Sequence, residues 1–458
     1  MKVIVVGAGL AGFAAARDLL AAGCEVHVLE ARERVGGRLE GGAFDDGTPI
    51  ELGGQWIGPT QTRVADLVTE LGLETFPTHT AGRVLVELGG RRTHMSAAPG
   101  AVPRLPPFVL ADLAQGLARF ERLSTGVDLT QPWASSSAER LDHETFESWI
   151  RRTLRTPTGR AYFRVATEAV FAAGAGDLSL LHAAFYARSG GGLAALLASE
   201  DGAQQDRIVG GSVQIAQRLA DAVLRRGGDR VRLTLGSPVR GITQRDESVV
   251  VTTRDGRREE AGRVVVTLPP TLAGRLDYDP PMPSWRDQLT QRVPAGSVIK
   301  VHLRYPRPFW REQGWNGQVA SDRGPVKVVF DNSPPSGTPG VLLAFLEGED
   351  ARRLARASEQ ERHAAVIARL VDYLGRQAAH PTQIIERDWS AEEFTRGCYG
   401  AHFTPGTWTS YGHALRAPVG RIHWAGAETS PVWNGYMEGA LRSGERVARE
   451  ITTPAASA

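Results

Sequence analysis

The first thirty residues constrain the fold most. Val3-Ile4-Val5-Val6 is an unbroken β-branched run, the pattern of a strand buried on both faces. Gly7-Ala8-Gly9-Leu10-Ala11-Gly12 follows at once, and Phe13 to Ala22 then has helical character. After Gly23, Glu25-Val26-His27-Val28-Leu29 reads as a second strand that ends at Glu30. Gly7 permits a tight turn, Gly9 lets the backbone approach a pyrophosphate, and Gly12 lets helix and strand pack closely. The phosphate would rest at the helix N-terminus around Ala11, where free N–H groups and the helix dipole favour an anion. Glu30 stands at the distance expected of a carboxylate that binds a ribose hydroxyl. Strand, loop, helix, strand and terminal Glu in this order predict an α/β, Rossmann-like dinucleotide-binding unit.

The next segment favours FAD over NAD. Glu30-Ala31-Arg32-Glu33-Arg34-Val35-Gly36-Gly37-Arg38 places a second glycine pair among arginines, whose planar guanidinium groups suit phosphate. It resembles the stretch that follows the dinucleotide unit in many FAD-dependent oxidoreductases. Ala31, Arg32, Gly37 and Arg38 are therefore candidate cofactor contacts. Glu51-Leu52-Gly53-Gly54-Gln55-Trp56 reads as another close backbone approach to the cofactor, through Gly53, Gly54, Gln55 and Trp56.

Composition excludes several classes. The 458 residues carry a net charge of +2, and basic pairs such as Arg151-Arg152 alternate with acidic residues, so no nucleic-acid stripe is expected. No run approaches the ~18 apolar residues of a membrane helix, and no signal segment is visible, so a soluble chain is expected. Two distant cysteines, Cys24 and Cys398, point to a reducing cytoplasm. There is no metal-spaced His/Cys cluster and no Ser/His/Asp set. Lysine occurs only at positions 2, 300 and 327, so Lys300, inside the apolar strand Ser297–Leu303, stands out.

Near the other end, Arg396-Gly397-Cys398-Tyr399 follows Trp389. Then come Trp424-Ala425-Gly426-Ala427-Glu428-Thr429 and Trp433-Asn434-Gly435-Tyr436-Met437-Glu438-Gly439-Ala440. A lone thiol beside tyrosines and glycine-rich turns suits a site built around a flat cofactor. With Val209-Gly210-Gly211-Ser212, Leu268–Leu272 and Val293–Lys300, the ordered set resembles the flavin-containing amine oxidases, most closely the monoamine oxidases, from Val3 to Ile451. The resemblance implies a thioether from Cys398 to the flavin 8α carbon. It implies an aromatic cage of Tyr399 and Tyr436 and a Lys300 that holds a water against flavin N5. It also implies cofactor contacts from Gly426, Glu428, Met437, Trp389 and Val239. Val170, Leu197, Gln204 and Val328 are the corresponding candidates for the substrate pocket. His402 stands where relatives carry an aromatic residue, and the carboxy-terminal helix of membrane-bound relatives is lacking.

With flavin-binding pieces at both ends, the domains must interleave. The expected division is FAD-binding pieces at 1–78, 208–285 and 390–453, and a mixed-sheet and helical (α+β) substrate domain at 79–207 and 286–389. Segment 79–207 is expected to be mostly helical, 286–389 to mix strands with a helix near 351–375, the proline-rich stretch near 99–107 to be loop, and 454–458 to be a disordered tail. The resemblance implies oxidation of a small-molecule primary or secondary amine to an imine, hydrolysis to an aldehyde, and reduction of O2 to H2O2, with no nucleic acid or membrane partner and room for a homodimer. Apolar pocket positions favour a monoamine over a diamine. Amino-acid or polyamine oxidation is the alternative within this chemistry. A flavin desaturase or porphyrinogen oxidase is the alternative outside it, and it would need neither Cys398 nor the paired tyrosines.

Overall fold

The computed structural model describes residues 1–97 and 103–453. The expected tail at 454–458, and part of the proline-rich stretch near 99–107, lie outside the described residues.

Lys2–Val6 forms the middle of a five-stranded parallel sheet. Glu25–Leu29 and then Val231–Thr234 lie on one side of it, and Arg263–Val266 and then Ile422–Trp424 on the other. One sheet therefore draws its strands from three separated stretches of chain. Alternation along the strand divides its side chains between two cores. Val3 and Val5 pack with Phe13, Leu19 and Leu219 of the helices, whereas Ile4 and Val6 pack with Ile242, Val249 and Val251. The latter belong to a smaller sheet built from Val239–Gln244, Val249–Thr253, Arg258–Ala261 and Asp277–Asp279. Because both faces are covered, every residue of the run 3–6 is apolar.

Helix Leu10–Ala21 runs against the terminal helix Met437–Thr452. They approach closely because Gly444 has no side chain: a Cβ there would overlap Ala11 O and stand 2.7 Å from Ala14 Cβ.

The second large sheet has seven strands, in the spatial order Gln383–Asp388, Val298–Tyr305, Gly340–Glu347, Val326–Asp331, Trp315–Ser321, Arg83–Leu88 and Arg91–Ser96. Its outer face, including Ile299, Val301, Leu342 and Ala344, packs on Val366 and Leu370 of helix Glu359–Leu374. Its inner face carries Lys300, Phe345 and Val328 toward a large cavity. The hairpin 83–96 departs from the mostly helical expectation for 79–207. Its strand Arg83–Leu88 is apolar for one turn's length only, and it is fixed by pairing with Trp315–Ser321, more than 200 residues later. The helix expected near 351–375 is two helices, Gly348–Leu354 and Glu359–Leu374. Ser358 starts the second with a capping box to Glu361, in which side chain and backbone bond reciprocally. Among the described residues, no helix is long and apolar enough to cross a membrane.

The contact between the first and last helices sets a test. Gly444→Val is expected to cost about 1–3 kcal/mol, the usual range for overpacking. Gly176→Ala, with nothing within 4 Å of the added Cβ, is expected to be near neutral. Urea unfolding of the two variants beside the parent measures both.

Candidate active site

The nucleotide loop opens one end of the cavity. Gly7 has φ +110°, and a Cβ there would overlap Thr267 Oγ1, which donates to Val6 O at 2.8 Å. At Gly9 the space is open, the nearest atom to an added Cβ being Gly36 O at 3.9 Å. Gly12 faces away from the cavity: its Cβ would overlap Gly7 O, so its bareness serves helix–strand packing. The first turn of helix Leu10–Ala21 leaves its leading N–H groups without intrahelical partners. Glu30, 3% exposed, already uses both oxygens, accepting from Ala8 N at 2.8 Å and Arg32 N at 2.9 Å. It thus locks the turn while standing on the cavity wall. The open cradle at Gly9, the free helix terminus and this carboxylate form a donor and acceptor set that fits a dinucleotide.

Arg32 and Arg38 tie this loop to the far end of the chain. Arg32 bonds Glu392 and, at 2.6 Å, Thr395 Oγ1. Arg38 makes a two-pronged pair with Glu428, at 2.7 and 2.9 Å, and donates to Tyr399 O at 2.8 Å. Burial alone would raise the Glu428 carboxyl, but the guanidinium overrides it and holds the group below its ordinary value. Glu428 therefore sits behind Arg38 and off the cavity wall. Ala31 and Val239 are also off the wall. Val239 begins a strand two residues after Ser237, whose N–H donates to Glu30 O at 2.7 Å.

Cys398 and Tyr399 sit on a turn pressed into the loop before Lys300. Cys398 N donates to Gly296 O at 3.0 Å, and Gly296 N donates to Gly400 O at 3.2 Å. Gly397, at φ +134°, leaves no room for a side chain, since a Cβ would stand 2.7 Å from that of Ala295. Trp389 Nε1 is fixed on Leu52 O at 2.9 Å. The thiol of Cys398 lines the cavity, and burial pushes it up to about 12, so it is uncharged.

Lys300 is 3% exposed and fully engaged. Its Nζ donates to Glu51 O at 2.7 Å, Gly53 O at 2.8 Å and Gln55 Oε1 at 2.7 Å. Gln55 is itself aligned by donating to Asn332 Oδ1 at 2.7 Å. Burial pulls the ammonium down to about 7, against the attraction of Glu51. The Gly53-Gly54 pair packs first on the chain's own backbone: Gly54 N donates to Arg38 O at 3.1 Å, and a Cβ on Gly53 would overlap that carbonyl.

Beyond Lys300 the cavity widens among apolar walls. Trp56 lies 4.8 Å from Phe330, and Tyr399 lies 6.2 Å from Phe345, ring centre to ring centre. Tyr436 lies 4.9 Å from Trp433 and 6.1 Å from Tyr186. Burial raises the hydroxyl pKa of Tyr399, Tyr436 and Tyr186, so all three are neutral phenols. Val170, Leu197, Gln204 and Val328 line this end, as do Gly37, Gly426 and Met437 at the nucleotide side. Gln204 is anchored by donating to Leu196 O at 3.0 Å.

Sequence reasoning missed Tyr186, Phe345 and Glu347. Glu347 had a visible signal: it is the single carboxylate closing the otherwise apolar strand Gly340–Glu347. Tyr186 had none, since it sits in a helix buried on nearly every side.

Removing one member of a buried ion pair strands the other. Glu428→Gln is expected to cost about 3–5 kcal/mol in urea unfolding, against under ~1 kcal/mol for Lys2→Ala at the part-exposed Lys2–Glu259 pair.

Comparison with known proteins agrees with this geometry. The family model "Flavin containing amine oxidoreductase" matches residues 10–452. A Mycobacterium tuberculosis protein assigned as a flavin-containing monoamine oxidase is 40% identical over 452 residues, 98% of this chain and 96% of its own. An L-amino acid dehydrogenase of Synechocystis is 37% identical over 456 residues, 98% of this chain and 94% of its own. Cyclohexylamine oxidase from Brevibacterium oxydans superposes with a TM-score of 0.92 at 35% identity, covering 98% of both chains. Putrescine oxidase bound to putrescine superposes with a TM-score of 0.92 at 34% identity, covering 98% of this chain and 99% of its own. The chain belongs to the flavin-containing amine oxidase family.

Proposed function

We propose that this enzyme oxidises a primary monoamine to an imine, released as aldehyde and ammonia, with FAD held covalently through Cys398 and O2 reduced to H2O2. The observation that carries this reading is convergence: Cys398, Tyr399, Tyr436 and Lys300 line one cavity continuous with the Gly7–Gly9 loop. When bound, the flavin supplies the two-electron acceptor. The chain supplies placement and polarity. The Gly7–Gly9 turn and the helix behind it would hold the pyrophosphate, Arg38 and Trp389 would frame the ring system, and Lys300, with its three hydrogens on Glu51, Gly53 and Gln55, would brace the Gly53-Gly54 backbone beside it.

The substrate end controls the amine's charge. Taking a pKa of about 10.4, a neutral amine costs roughly 4 kcal/mol at pH 7.4. The faces of Tyr399 and Tyr436 attract an ammonium by about 0.5–2 kcal/mol. Burial works the other way and favours the neutral form. Val170, Leu197 and Val328 suit an aliphatic or aromatic body. The arginines on the wall, Arg32 and Arg38, are both occupied by carboxylates, which leaves no guanidinium among the described lining residues for an amino acid's carboxylate. A cytoplasmic setting suits two buried, unpaired thiols.

Two measurements test this reading. In Cys398→Ala, flavin colour is expected in the supernatant after acid precipitation, whereas the parent keeps it in the pellet; colour retained in the variant's pellet would remove the thioether. With a simple primary amine, kcat/KM is expected to rise as pH increases from 6, and a flat profile to pH 9 would contradict a cage that demands the neutral amine.

A further inference from the structure

Strand Gly340–Glu347 carries seven apolar or bare residues and then one carboxylate, which shares the inner face of the seven-stranded sheet with Leu343 and Phe345. Glu347 is 3% exposed and lines the cavity. One oxygen, Oε1, accepts from the hydroxyl of Tyr399 at 2.7 Å. The other, Oε2, is buried and has no hydrogen-bond partner. A buried carboxylate with a free oxygen demands a donor, preferably a cation.

Among the described residues, no cation fills that role. Lys327, on the adjacent strand Val326–Asp331, is held by Glu168 at 2.6 Å and Asp350 at 3.3 Å. Lys300 lies on the neighbouring strand, where Val298 pairs with Glu347 and Lys300 with Phe345, and its three hydrogens are spent on Glu51, Gly53 and Gln55. Arg38, which reaches the backbone of Tyr399, is committed to Glu428.

We propose that Glu347 is the ammonium-receiving carboxylate of the cavity: Oε2 pairs with the protonated amine beside Tyr399 and takes one of its protons. The step is R–NH3⁺ plus carboxylate giving R–NH2 plus carboxylic acid, with no change of oxidation state. It rests on the amine-oxidation reading and supplies the deprotonation that reading requires. The electrostatics fit. Burial pushes the Glu347 carboxyl up to about 8, the Tyr399 bond and Lys327 oppose this, and Glu168 adds to it. Glu168 packs beside the backbone just after Glu347, a Cβ on Gly348 standing 3.7 Å from Glu168 Cγ, and the Glu168–Lys327–Asp350 cluster is 15–16% exposed.

The test uses tert-butylammonium, which has no hydrogen on the carbon bearing nitrogen and so cannot be oxidised. Calorimetric titration of the flavin-loaded enzyme is expected to show affinity climbing about tenfold per pH unit between pH 6 and 8. Glu347→Gln keeps an acceptor for Tyr399 but cannot take a proton. It is expected to weaken binding at pH 9 at least ~10-fold and to abolish the climb. Glu347→Asp keeps the charge and is expected to retain the climb, which separates loss of charge from loss of fold. In turnover, kcat/KM of the parent is expected to bend near pH 8 and fall above the substrate's own pKa, while Glu347→Gln rises to that pKa and levels off. Equal affinity and equal pH dependence in parent and Glu347→Gln would overturn the assignment of Glu347 even if amines are oxidised. Failure of the parent to oxidise any amine would overturn the amine-oxidation reading, and the calorimetry would still judge Glu347 as a cation site.

Discussion

The pairing of Arg38 with Glu428 is the joint on which the rest of the site depends. A buried carboxylate is satisfied at 2.7 and 2.9 Å by a partly buried guanidinium, which also holds the carbonyl of Tyr399. One side chain thus fixes the glycine-arginine segment behind the nucleotide loop, the glycine turn at 426–428 and the turn bearing Cys398. A fork-shaped guanidinium can do this where an ammonium could not, because its donors reach in several fixed directions within one plane.

The cavity is graded in polarity from this joint outward. Backbone N–H groups and two engaged arginines surround the nucleotide end, a saturated lysine stands in the middle, and neutral phenols and aliphatic side chains line the far end. Burial moves the two ionisable groups of the inner sheet face toward each other on the pH scale, Lys300 down to about 7 and Glu347 up to about 8. Desolvation penalises the charged form of each, so it has opposite effects on an acid and a base. His302, on the same strand, is buried and held well below its ordinary value.

What the sequence revealed depended on how local each cause was. The roles of Gly7 and Gly12 follow from a turn and a helix within ten residues, and the structure shows both. The apolar run at 3–6 declared a buried strand because both of its faces are covered. Lys300 was conspicuous by rarity, but its three acceptors come from about 250 residues upstream and left no trace beside it. The Gly53-Gly54 pair suggested a close approach to a ligand; both line the cavity, and Gly53 is also pressed against the backbone of Arg38. Strand Arg83–Leu88 was hidden in a helical region because its partner lies far along the chain. Glu347 carried a local signal as the single carboxylate of an otherwise apolar strand, but that signal did not say which side chains it would meet.

The interleaved parallel sheet also has a consequence in time. Lys2–Val6 is made long before its neighbour Arg263–Val266 and the edge strand Ile422–Trp424. Arg38 waits 390 residues for Glu428. At about 5–20 residues per second, that is roughly 20 to 80 s of translation. Until residues 422–428 are made, the sheet around Lys2–Val6 lacks its edge strand and Arg38 lacks its carboxylate, so the cavity can close around a flavin only after that stretch has emerged.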